Sequence, residues 1–193
     1  MDCKFGCLLW FRQMRFNRRS LRIRLAMQTG TFRKLSGTVE VDETFIGGKA
    51  RNMHKGKRKA VGAGANDKAV VMGLLERHGE VRTLVVPGTT KRQLQPKVRE
   101  HVEPKSEVMT DALASYAGLD RDYVHQVIDH AECYVKGNVH TNGLENFWAL
   151  FKRCIKGTHI SIEPFHLFRY LDAETFRFNY RKQKDAARFA KVV

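Results

Sequence analysis

Three carboxylates fall on segments that read as regular structure: Asp42 in VEVDETFIGG, Asp111 in MTDALASY and Glu145 in NGLENFWALFKR. Carboxylates carried on rigid elements can be aimed at one point. Three that converge could hold divalent ions, and two such ions about 4 Å apart can both activate an attacking hydroxyl and stabilise a leaving oxygen at a phosphodiester. An Asp in a strand is costly to bury unpaired, which suits a metal ligand. Glu145 and Lys152 are seven residues apart, so on a helix they differ by only about 20° around the axis. The acid could then hold metal while the lysine two turns on meets a phosphate as a point charge; taken alone, the pair would read as a solvated helix edge.

The elements that must position these groups follow from periodicity. TVEVDETFI, residues 38–46, alternates as a strand, with Val39, Val41 and Glu43 on one face and Glu40, Asp42 and Thr44 on the other. Gly47 and Gly48 end it. AVVMGLL and VRTLVVP, joined by the turn signal ERHGE, read as an antiparallel hairpin. A helix is expected from Thr90 to His101 with Thr89 or Thr90 as N-cap, and Pro96 should kink it or shift its start. EVMT delivers Asp111 at a strand end, ALASYAGL reads as helical and HQVID as a further short strand. From Asn142 to Ile155, Leu144, Phe147, Trp148, Phe151 and Ile155 form an apolar stripe that should pack on the sheet. A last helix from Pro164 to Arg181 aligns Phe165, Phe168, Leu171, Thr175 and Phe178 for core or partner-helix packing. The fold class expected from this order is α/β with a mixed sheet.

Among other acids, Glu43 should point to the face opposite Asp42, while Glu40 and Glu174 read as surface or supporting groups. The formal charge of +15, from 35 Lys and Arg against 20 Asp and Glu, points to a polyanionic partner, nucleic acid first. The charge is clustered. Residues 1–35 hold nine basic side chains and one acid; residues 49–59 hold six, Lys49, Arg51, Lys55, Lys57, Arg58 and Lys59, and no acid, a density that favours contact with a DNA backbone. Cys3, Cys7, Cys133 and Cys154 lack paired C-x-x-C spacing and read as free thiols, a zinc site using Cys3 and Cys7 being the alternative. No apolar run of 18 residues occurs, so a soluble protein is expected, with no membrane partner.

VEVDETFIGGKARN, TDALASY and HTNGLENFWALFKR together resemble the three motif blocks of DDE transposases of the ISXO-like insertion-sequence group, and RYLDAETFRFNYRK resembles their C-terminal helix. The resemblance spans Leu35 to Lys182, and its separations, 69 residues from 42 to 111 and 34 from 111 to 145, are those these enzymes use. It implies an RNase H-like fold with Asp42, Asp111 and Glu145 as catalytic, metal-binding triad for two Mg2+ or Mn2+ ions, Asn142 being the alternative third ligand. It also implies DNA contact by Lys152 and its neighbour Arg153. His140 and Asn142 either support the site or touch DNA, or else merely cap the helix. The implied reaction is hydrolysis at the element end, then attack of the freed 3′-hydroxyl on target DNA. The partners would be terminal inverted repeats and target DNA, met by a homodimer or larger assembly in bacterial cytoplasm, at the nucleoid when bound.

Members of this group usually begin with a zinc ribbon and helix-turn-helix. Residues 1–35, with RRSLRIRLAMQTG resembling the tail of a recognition helix, read as a basic remnant of a lost one, residues 36–182 as the catalytic domain and 183–193 as a tail. Two rival readings remain. A non-enzymatic basic DNA-binding module would show no convergence of the three acids, and an RNase H-like nuclease would cut without joining strands.

Overall fold

The computed structural model describes residues 23, 24, 26, 27, 33–47, 68–111, 113–128, 140–159, 162 and 164–192. Five strands, β1 (Thr38–Ile46), β2 (Ala69–Glu76), β3 (Val81–Val86), β4 (Glu107–Asp111) and β5 (Val124–Ile128), form one mixed sheet in the order β3-β2-β1-β4-β5. The first three are antiparallel neighbours, whereas β4 runs parallel to both β1 and β5. The β2–β3 hairpin closes through Arg77 to Glu80, with His78 at φ 63° and the Gly79 amide donating to the Glu76 carbonyl at 2.9 Å. Parallel pairing needs a crossover, and helix α1 (Lys91–His101) supplies the one between β3 and β4.

Pro96 sits inside α1, which starts at Lys91 after Thr90, so of the two expected effects the shifted start does not occur. Thr90 caps the helix in a reciprocal box with Gln93, and Pro96 is exposed, so its ring and the carbonyl it leaves unpaired can face solvent. The segment expected as a helix after Asp111 is instead two 3-10 turns, Ala114–Tyr116 and Leu119–Arg121. Gly118 between them is left-handed at φ 93°. The Gln95 side chain donates to the carbonyls of Ser115 and Ala117, both at 3.0 Å, and Lys91 donates to Ala117 at 2.6 Å. Side chains of α1 thus hold these turns by their carbonyls, in place of the bonds a continuous helix would make.

The alternation read from β1 holds. Val39 and Val41 join Met72, Leu74, Val108 and the α1 residues Leu94 and Val98 in the apolar core on one face. On the other face lies α2 (Asn142–Cys154), packed on β1 and β2 through buried Leu144, Phe147, Trp148 and Phe151. Each such burial contributes about 1.5–3 kcal/mol. Gly73 of β2 allows this approach: a Cβ there would stand 2.6 Å from the Trp148 ring. After α2 a π-helical turn covers Ile155–His159.

Two compact units divide the chain, one from Thr31 to Phe168 and the other from Arg169–Val193 with the described residues before 31. In the second, the Arg24 guanidinium lies 4.2 Å over the Tyr170 ring, Lys191 lies 4.4 Å over Tyr180, and a short helix α4 (Asp185–Ala190) follows α3 (Leu167–Asn179). The expected stripe of the last helix is corrected here. Phe165 is 76% exposed and Phe168 is also exposed, whereas Leu167, Leu171, Thr175 and Phe176 are buried. Pro164–His166 form a 3-10 turn, so Phe165 lies outside α3 and off its pattern, while Leu171 and Thr175 are buried as the stripe requires. Among the described residues no helix is long and apolar enough to cross a membrane.

Candidate active site

Asp42 lies at the centre of β1 on the α2 face, and both its oxygens are engaged. Oδ1 accepts the Glu43 amide at 2.8 Å and Oδ2 accepts the Trp148 indole N–H at 3.1 Å. Helix α2 therefore orients this carboxylate directly. The parallel register pairs Glu40 with Met109 and Val41 with Thr110, so the next step along the two strands brings Asp42 beside Asp111 on the same face. Glu145 stands in the first turn of α2, exposed to solvent. Burial pushes the Asp42 carboxyl up to about 6; its two hydrogen bonds oppose this, and repulsion from Asp111 and Glu145 adds to it. Asp42 thus feels the charge of both other sequence-predicted acids.

Glu43, the next residue of β1, takes the opposite face by the parity of the strand and is half-buried. Burial pushes its carboxyl up to about 8, with repulsion from Asp42 and Asp111 adding, and its Oε1 is buried without a hydrogen-bond partner. As placed, no three His, Cys, Asp or Glu side chains among the described residues form a group able to hold a metal ion. Carboxylate oxygens are the donors that a hard divalent cation takes, and at Asp42 the negative charges of Asp111 and Glu145 add to the cost of ionisation.

Lys152 and Arg153 are exposed on the last turn of α2, where they also complement the helix dipole. With Ala149, Lys156 and Gly157 they line an open groove of about 470 Å³. Lys156, absent from the sequence-based set, continues the same helical stripe at spacings of three and four and could have been read from it. Asn142, the first residue of α2, is exposed. His140 is drawn against the sheet: its Nδ1 lies 3.1 Å from Arg77 Nη2 and 3.6 Å from Glu40 Oε1. Lys49, Arg51, Lys55, Lys57, Arg58 and Lys59, like Cys3, Cys7 and Cys133, lie outside the described residues, and Cys154 takes part in no disulfide among the described residues.

Of the two roles expected for Glu40, at the surface or in support of the site, burial leaves the second. Glu40 is 1% exposed, which removes it from the surface, and it accepts the Leu144 amide at 3.1 Å and pairs with Arg77 at 3.0 Å. The signal was present in the alternation, which puts Glu40 on the face of Asp42.

Comparison with known proteins gives a consistent result. The model of the ISXO2-like transposase domain matches residues 34–179. An uncharacterized transposase-like protein of Haemophilus influenzae is 38% identical over 102 residues, covering 52% of this chain and 81% of that protein. No solved structure matches.

Proposed function

Since the chain belongs to the ISXO2-like transposase domain family, we propose that it is a metal-dependent DNA transposase of the DDE type with an RNase H-like core over residues 36–182. What carries this is the parallel register of β1 and β4, whose last pair, Val41 with Thr110, leaves Asp42 and Asp111 next on their strands, with the charges of Asp111 and Glu145 acting at Asp42. The mixed sheet, with two antiparallel strands beside β1 and two parallel ones beyond it, supports the fold reading.

In this reading Asp42, Asp111 and Glu145 hold two Mg2+ or Mn2+ ions, with Asn142 the alternative to Glu145 as third ligand. Bound there, the ions would supply Lewis-acid activation of the attacking hydroxyl and stabilisation of the leaving oxygen. The protein's own part is positional. Trp148 and the Glu43 amide hold the Asp42 carboxylate in one orientation, and Lys152 and Arg153 neutralise DNA phosphates along the groove. Hydrolysis at the element end and attack of the 3′-hydroxyl on target DNA are both displacements at phosphorus, and no enzyme nucleophile is needed. The basic stretch 49–59 adds backbone contacts, and a dimer pairs two terminal repeats.

The test uses a duplex with a labelled 3′-end, supplied with Mg2+ or Mn2+. Joined products from the unsubstituted protein, absent with Asp111→Asn, are expected. Nicks without joining would favour a nuclease that cuts only, and unimpaired cleavage by Asp111→Asn would overturn the site.

A further inference from the structure

Among the described residues Glu40 is the one charged side chain that is fully buried, at 1% exposed. A carboxylate there is costly, and an apolar residue of similar size would often serve stability as well. Its partners indicate what it does. Oε1 pairs with Arg77 Nε at 3.0 Å, and Oε2 accepts the backbone amide of Leu144 at 3.1 Å. Arg77 in turn donates from Nη2 to the His140 carbonyl at 2.8 Å. One ion pair thus joins β1, the β2–β3 turn, the residues before α2 and the first turn of α2. Thr141, at the helix N-cap, makes no side-chain capping bond, so Glu40 satisfies a first-turn amide from outside the helix. Gly143 permits the approach, since a Cβ there would fall 2.7 Å from Glu40 Oε2 and 2.3 Å from Leu75.

A second anchor lies one step further along both elements, where Trp148 donates to Asp42. Glu40 to Asp42 is two strand residues, about 6.6 Å. Leu144 to Trp148 is four helical residues, about 6 Å. The two repeats match, so both anchors are satisfied together only when α2 lies along β1 in a single register. Glu145 directly follows the first anchor residue, so that anchor decides where its carboxylate stands relative to Asp42.

We propose that Glu40, held by Arg77, is a positioning residue that locks the first turn of α2 onto β1 and so sets Glu145 beside Asp42 and Asp111. The proposal rests on reading those three acids as a metal site. With Trp10→Phe in the full chain, Trp148 becomes the single tryptophan, and paramagnetic Mn2+ bound at Asp42 should quench it. Glu40→Ala should raise the Mn2+ concentration for half-quenching by about tenfold or more, as loss of a group supporting a ligand does. Glu40→Gln, which still accepts the Leu144 amide but loses its charge, should fall between. Val98→Ala, in the core under the opposite face, should lower the melting temperature and leave the midpoint in place.

A midpoint within twofold of the parent in Glu40→Ala, or an equal shift in Val98→Ala, would overturn the proposal. Should Glu40→Ala fail to fold, Glu40→Gln is judged against the same limits. Absence of quenching in the parent, or its persistence in Asp111→Asn, would instead refute the metal reading. Hydrogen exchange of the Leu144 amide then decides the lock in metal-free protein: faster exchange in Glu40→Gln supports it, and an unchanged rate overturns it.

Discussion

The two faces of the sheet are built from the same strands and solve opposite problems. Under α1, β1 contributes Val39 and Val41 to an apolar core that includes Leu94, Val98 and Val108. Under α2, the intervening residues of that strand are Glu40 and Asp42, one fully buried and the other half-buried. The α1 face holds the sheet together through area removed from water. The α2 face spends part of that stability on carboxylates, and its helix is fixed by directed bonds from Glu40 and Asp42 as well as by packing. The proposed metal site would give those costly acids a use beyond folding.

Substitutions that fall on one face only break this comparison most sharply. The largest effect expected is on the α2 face: Asp111→Asn should abolish divalent-metal-dependent nicking of a labelled duplex, while the melting temperature stays level or rises as repulsion with Asp42 is relieved. On the α1 face the reverse is expected. Leu94→Ala, at a fully buried site, should cost about 2–5 kcal/mol in denaturant unfolding. Nicking per folded molecule should remain near that of the parent.

Acidity separates the faces next. Asp42 and Glu43 have folded-state pKa values raised from 3.8 to about 6 and from 4.5 to about 8. The folded protein therefore holds protons that the unfolded chain has released, and stability present below about pH 4 is lost as pH rises through about 6 and then 8. For Asp42 the loss is up to about 3 kcal/mol, at about 1.4 kcal/mol per unit. Urea titrations in EDTA from pH 4 to 8 should show this slope. Asp42→Asn and Glu43→Gln should each flatten it, and no change in slope would contradict the burial argument.

Smaller again is Gly73→Ala. Its Cβ would press on Trp148 and Leu144, an overpacking expected to cost about 1–3 kcal/mol and to move the indole away from Asp42. Smallest is Lys152→Ala, which should leave folding unchanged and make the slope of log K for DNA against log salt shallower by about one unit. Arginine there should keep most of the affinity, and a lost melting temperature with an unchanged slope would make Lys152 a structural residue.

Much of the fold is legible in the sequence because periodicity survives folding. The two-residue alternation of β1 is enough to put Asp42 and Glu43 on opposite faces, and the apolar stripe of α2 names four residues that are buried. What escapes depends on contacts distant in sequence. Nothing local in ALASYAGL reveals that Gln95 and Lys91 will claim its carbonyls, so a helical reading is natural and wrong. The last helix begins three residues later than expected, after a 3-10 turn at Pro164 that takes Phe165 out of its stripe. Glu40 has the correct face but no visible partner, because Arg77 and Leu144 lie 37 and 104 residues away.

Calorimetric titration of Mn2+ into metal-free protein tests most directly whether Asp42, Asp111 and Glu145 share a divalent-metal site, as proposed. Binding to the unsubstituted chain should be lost or strongly weakened in Asp42→Asn, Asp111→Asn and Glu145→Gln alike, with each variant folded by circular dichroism. Binding that survives Asp42→Asn and Asp111→Asn unchanged would contradict the account.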